Sequence, residues 1–115
     1  MSGTGKGTDL LGDFEQLVLL AILQHKDDGY ALPVRHAIEA ATERAVSRGA
    51  LYRTLDRLED KGLVTSTFEE PSPERGGNPR KRFGVTGDGI AALQRSHSVV
   101  GRLSAGLDEI LEPGR

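Results

Sequence analysis

One segment limits the fold more than any other. Three stretches of helical periodicity lead into residues 63–85, where the period changes, and helical periodicity then returns. Residues 63–70 (LVTSTFEE) are rich in β-branched side chains and roughly alternate, which predicts a strand. The following PSPERGGNP holds three prolines and two glycines and reads as a loop. Residues 80–85 (RKRFGV) predict a second short strand. A lone hairpin is marginal in water, so its apolar face has to pack against the helices on either side.

The first helix is expected over about residues 13–25. Phe14, Leu17, Val18, Ala21 and Ile22 share one face, and Leu19, Leu20 and Leu23 widen it. A helix apolar on nearly all sides is covered on more than one, so it belongs at the centre of the core or at a dimer contact. Asp27-Asp28-Gly29 breaks the pattern. The second helix is expected over residues 31–42, with Pro33 in its first turn. Leu32, Ala37, Ile38 and Ala41 are read as inward, and Arg35, His36, Glu39 and Glu43 as facing water. Ser47 is an N-cap for the third helix, Leu51, Leu55 and Leu58 are its buried stripe, and Lys61-Gly62 ends it. Thr86 is expected to cap a last helix reaching about Leu111, with Asp88 in its first turn and Pro113-Gly114 as its stop. Ile90, Leu93, His97, Val100, Leu103, Leu107 and Ile110 form its apolar stripe. The stripe can be read as packing onto the chain's own domain as core, but a helix of about 24 residues spans about 36 Å, longer than a small three-helix core covers, so self-association is the expected reading. His97 is read as a hydrogen-bonded interface residue.

This order predicts a mainly α (α+β) fold, a winged helix-turn-helix with a two-stranded β-wing and a long C-terminal helix. The expected division is a flexible tail over residues 1–9, a winged-helix DNA-binding domain over 10–86 and a C-terminal dimerisation helix over 87–115. A length of 115 residues suits one compact domain. In such a fold the third helix enters the major groove and the hairpin tip meets the neighbouring backbone or minor groove.

Charge bears on that reading. The net charge of −2 argues superficially against a polyanionic partner. Residues 44–83, however, carry nine basic side chains against six acidic ones, a local surplus that matters within a screening length of about 8 Å. On the third helix Ser47, Tyr52, Arg53 and Arg57 occupy the polar side, and an arginine fork can hold guanine O6 and N7 together. The alternative for that helix alone is a solvated surface with pairs such as Arg53–Asp56 and Arg57–Asp60. The loop turns at Gly76-Gly77 and is followed by Arg80, Lys81 and Arg82, presenting cations at a hairpin edge. The alternative there is a basic surface loop without function. Both features, in this order, favour double-stranded DNA.

Other classes find little footing. Without cysteine there are no disulfides, thiolate zinc sites or cysteine nucleophiles. His25, His36 and His97 lie on separate elements, and neither HExxH nor GxSxG occurs. GTGKGT near the start lacks the upstream glycine and the Ser or Thr after the lysine that a phosphate-binding loop needs. The chain is therefore expected not to be an enzyme and to need no cofactor or metal. The longest apolar run, residues 17–23, is too short for a membrane span. Together with an N-terminus lacking an apolar core, that predicts a cytoplasmic protein with no membrane partner. RNA recognition usually relies on exposed aromatic platforms, and this chain has three Phe and two Tyr.

The segments LGDFEQLVLLAIL, DDGYALPVRHAIE, SRGALYRTLDRLEDKGLV and PERGGNPRKRFGVTGDGIAAL are similar in order and spacing to the PadR family of winged-helix transcriptional regulators. The resemblance covers about residues 11–93, and the short C-terminal part is like that of the smaller members. It implies a homodimer joined through the first and last helices, acting as a repressor at a pseudo-palindromic operator. Phe14 and Val18 would serve the interface from the first helix, and Leu93, His97, Val100, Leu103, Leu107 and Ile110 from the last. Tyr30, Ser47, Gly49, Tyr52, Arg53, Gly77, Arg80 and Lys81 would contact DNA, joined by Arg48 and Arg57 on the same helix. Some small members bind flat aromatic compounds through aromatic residues of the terminal helix. This chain has no Trp, and its terminal helix has no aromatic residue, so no small-molecule effector is named. The competing reading is a winged-helix protein-interaction module that docks an acidic partner on its wing without specific DNA binding.

Overall fold

Helical periodicity in the first sixty residues produces three helices, α1 (Asp13–Gln24), α2 (Ala31–Thr42) and α3 (Arg48–Asp60). The change of period produces β1 (Val64–Glu69) and β2 (Arg80–Val85), followed by α4 (Gly87–Ser104) and α5 (Asp108–Leu111). The structure is a computed structural model and describes residues 10–70 and 80–112. The fold is a winged helix, mostly helical with one two-stranded antiparallel sheet. The expected tail over residues 1–9, Gly76 and Gly77, and the stop at Pro113-Gly114 lie outside the described residues.

α1 runs through the middle of the core. Val18, Leu19 and Ile22 are buried there against Leu51, Leu55 and Leu58 of α3. Burying a leucine of this kind contributes roughly 1.5–3 kcal/mol. On α2 the inward pair is Val34 and Ile38, one turn apart. The expectation for Leu32 and Ala41 is corrected: Leu32 is 55% exposed and Ala41 is exposed. Leu32 precedes Val34 by two positions, about 200° round the helix, so both cannot face the core.

The caps are local chemistry. Ser47 Oγ accepts the Ala50 N–H at 3.0 Å, as an N-cap should. The α3 chain leaves through Gly62, with Leu63 N–H donating to the Leu58 carbonyl at 2.9 Å. Thr86 Oγ1 accepts the Gly89 N–H at 3.0 Å and donates to the Gly62 carbonyl at 2.8 Å. One threonine thus starts α4 and ties it to the end of α3.

The strands pair from Val64↔Val85 to Glu69↔Arg80. Val64 and Phe83 are buried on the face toward the helices. Beyond the sheet itself, Tyr30 forms an isolated antiparallel bridge with Arg82, and Phe83 N–H donates to the Gly29 carbonyl at 2.8 Å. The turn between α1 and α2 is therefore hydrogen-bonded to the inner strand of the wing.

The terminal helix departs from expectation. α4 stops at Ser104, and Gly106 takes φ +82, a left-handed conformation that glycine adopts readily. Its 18 residues span about 27 Å, and α5 is a separate single turn. The stripe divides as well: Leu93 is buried with Ala92 and Ser96 in the chain's own core, whereas Val100, Leu103 and Ile110 are exposed. No helix among the described residues is long and apolar enough to cross a membrane.

Candidate nucleic-acid interface

Two basic surfaces carry the candidate chemistry. The first is the outer face of α3. Arg48, Gly49 and Arg53 are exposed there, and Tyr52 is half-buried. The Arg48 guanidinium lies 5.6 Å from the Tyr52 ring centroid. Gly49 leaves bare backbone beside Arg53, whose Nη1 would stand 3.3 Å from a Cβ at that position. Ser47 is exposed, and its hydroxyl is engaged as the cap.

Arg57 has partners beyond its own turn of helix. Its Nε donates to Glu15 Oε2 at 3.2 Å, and its Nη2 to Thr54 Oγ1 at 3.4 Å. Lys61 Nζ reaches the same Glu15 oxygen at 3.0 Å, and the other Glu15 oxygen accepts the Gly12 N–H at 2.9 Å. Burial by itself would raise the Glu15 pKa. The Gly12 N–H, Lys61 and Arg57 outweigh it and hold the carboxylate below its ordinary range. Arg57 therefore joins an ion-pair cluster between α3 and α1, while its side chain stays about half exposed.

The second surface is the wing. The Arg80 guanidinium stacks 3.5 Å from the Tyr30 ring centroid, and Arg82 lies 5.9 Å from the same ring. Tyr30 Oη donates to Glu69 Oε1 at 2.7 Å, and this bond raises the pKa of the phenol. Arg82 also donates to the Asp27 carbonyl at 3.2 Å and approaches Glu69 at 3.7 Å. On the other face Lys81 Nζ sits 5.5 Å from the Phe68 centroid and 5.7 Å from Phe83. Phe68 is 71% exposed. Each wing cation is thus propped against an aromatic ring, worth about 0.5–1 kcal/mol at exposed sites. Ordered cations lose less rotamer freedom when they meet an anion. Gly77, expected on the wing, lies outside the described residues. Tyr30 sits at the wing's base with its hydroxyl already partnered.

The expected dimer residues fall into two groups. Phe14 is half-buried and lines a groove of about 470 Å³ with Leu17, Ile38 and Val46. His97, Val100, Leu103, Leu107 and Ile110 are exposed. Val18 and Leu93 are corrected: Val18 is fully buried, Leu93 nearly so, and both pack the chain's own core. Sequence periodicity cannot separate a stripe that packs internally from one that meets a second copy.

Residues that the pattern missed are Glu15, Glu69 and Arg35. Glu15 and Glu69 each order cations on a neighbouring element. Their partners lie 13 to 46 positions away in sequence, so no local signal marks them. Arg35 lines a cleft with Arg48 and Tyr52. Its third position after Leu32 on α2 is the only signal, and a weak one.

A profile of the Transcriptional regulator PadR-like family matches residues 19–95. Among solved structures, the chain is similar to a PadR-like transcription factor from Bacteroides fragilis. The two share 27% identity over 84% of this chain and 88% of that one, with a TM-score of 0.67. A PadR family transcriptional regulator from Eggerthella lenta shares 26% identity over 85% of this chain and 83% of that one, with a TM-score of 0.63. A PadR-like transcriptional regulator from Bacillus cereus shares the fold at 23% identity, over 96% of this chain and 98% of that one, with a TM-score of 0.67. No curated protein sequence matches the chain.

Proposed function

The chain belongs to the PadR-like family of transcriptional regulators, and on that premise we propose that it is a sequence-specific repressor that grips a pseudo-palindromic operator as a homodimer. The family's members are transcription regulators rather than enzymes, and DNA binding is the activity that membership implies. The observation that supports the finer reading is the pair of basic surfaces, on α3 and on the wing, each carrying cations ordered by aromatic rings.

In this reading residues 10–86 bind DNA and the segment from residue 87 onward joins two copies. Arg53 reads a base edge from the exposed face of α3, while Arg48, Tyr52, Arg80 and Lys81 hold phosphates. Ser47 and Gly49 let the start of α3 approach the groove, and Tyr30 steadies Arg80. A second copy covers the exposed apolar side chains of α4 and α5 and the groove beside Phe14. Two-fold symmetry then presents two α3 helices to half-sites about one turn of DNA apart.

The test is a binding titration against the DNA upstream of the protein's own gene, at two salt concentrations, beside random DNA of equal length. Tight, salt-steep binding that prefers the upstream fragment is expected. Arg53→Ala is expected to weaken the specific complex by about 1–3 kcal/mol and to leave random DNA nearly unchanged. Equal loss on both would make Arg53 a backbone contact. Weak binding indistinguishable from random DNA would move the reading to a protein-docking module.

A further inference from the structure

The first turns of α2 and α3 face each other across a cleft of about 290 Å³, bounded by Ala31, Leu32, Arg35, Arg48, Leu51 and Tyr52. We propose that this cleft seats one phosphodiester of the DNA backbone, held between Arg35 of α2 and Arg48 of α3. The proposal rests on the DNA-binding reading above and adds a contact to it, because Arg35 looks like an ordinary solvent-facing residue in the sequence.

Five observations converge on the cleft. Two guanidiniums and a phenol line it, and among the described residues no carboxylate does. Arg35 Nε is buried and has no hydrogen-bond partner among the described residues. A donor withdrawn from water without an acceptor is unfavourable, and an anion entering the cleft would relieve it. Neither α2 nor α3 carries an acidic residue in its first turn, so the positive ends of both helix dipoles are unopposed there. Arg48 rests beside the Tyr52 ring, which limits its wandering before a phosphate arrives. The exposed Leu32 gives the cleft an apolar lip on which a deoxyribose can pack.

The electrostatic pattern on α3 becomes consistent with this. Arg57 is committed to Glu15, so its charge is shared with a carboxylate. Arg35 supplies the missing cation from the neighbouring helix. A phosphate gripped from α2 and α3 at once also fixes their common orientation on the duplex. The seat would therefore position the recognition helix and carry no sequence preference of its own.

The experiment compares the full chain with Arg35→Ala and Arg35→Lys on the upstream duplex and on random DNA, across a series of salt concentrations. Arg35→Ala is expected to weaken both complexes by roughly tenfold, and to flatten the log–log salt slope by about 0.9 for each seat lost, about 1.8 for the dimer. Arg35→Lys keeps the charge and is expected to retain most of the slope. Neutral methylphosphonates placed singly along the duplex supply a second readout. One position per half-site should weaken the wild type clearly more than it weakens Arg35→Ala, which keeps only the Arg48 contact. If wild type binds DNA but Arg35→Ala shows an unchanged slope, the seat is overturned and the DNA-binding reading stands. A lower unfolding temperature with an unchanged slope assigns Arg35 a packing role and overturns the seat as well. A wild type that binds no DNA even at low salt overturns both.

Discussion

At the scale of single residues, Glu15 does the most that its surroundings do not advertise. Its side chain is 8% exposed, while Arg57 and Lys61 remain about half exposed, so the cluster is a buried anion reached by two surface cations. Removing the anion costs hydrogen bonds to charged groups, discounted for the solvent around the cations. Glu15→Ala is expected to lower stability by about 1–3 kcal/mol at neutral pH, read from denaturant unfolding. The folded carboxyl titrates below its ordinary value of 4.5. Its contribution is therefore complete above that value and fades as pH falls through the lower, folded one. Acid should erode the wild type more steeply than Glu15→Gln in that range, and parallel acid titrations of the two would remove the linkage. None of this was legible in the sequence. Periodicity places a glutamate on the polar side by default, and its partners lie 42 and 46 positions away. By contrast Ser47 and Thr86 were read correctly as caps, because a cap acts on a backbone N–H three positions on.

At the scale of elements, legibility follows how local the cause is. α2, α3 and β2 were readable to within a residue, since their spacing and their stops sit in a few neighbouring positions. The inward face of α2 was not, because Leu32 and Val34 are equally apolar and only the packing of α1 and α3 chooses between them. The terminal helix failed for a third reason. Its apolar stripe continues past Gly106, and the stripe outweighed a glycine that costs a helix interior about 1 kcal/mol relative to alanine. A second glycine has the opposite meaning. Gly89 is buried at the start of α4, where a Cβ would run into the Leu63 carbonyl and meet Val85 Cγ1 at 2.7 Å. The neighbour is backbone and cannot step aside. Gly89→Ala is expected to destabilise by about 1–3 kcal/mol through overpacking, with an unchanged denaturant m-value. A variant as stable as wild type would show that α4 can slide off the end of α3.

At the scale of the whole molecule, the order of helices and hairpin was enough to give the architecture, whereas the net charge was misleading because acidic residues elsewhere mask the basic surfaces. What a single chain leaves unfinished is its C-terminal end. Val100 is 58% exposed, and Leu103 and Ile110 are each 78% exposed, an apolar strip of the kind that marks an interface. Leu103→Asp is expected to give a monomer by sedimentation or light scattering. The wild type should melt at a temperature that rises with protein concentration, and the variant should not. An unchanged mass for the variant would take the strip out of the interface. A last consequence comes from the bond between Phe83 and Gly29. Two strands alone would swing freely, yet here the inner strand hangs from the turn that opens α2, with Arg82 anchored to the Asp27 carbonyl beside it. The wing is therefore tethered at Gly29. A displacement of β2 would have to break that tether or carry the start of α2 with it.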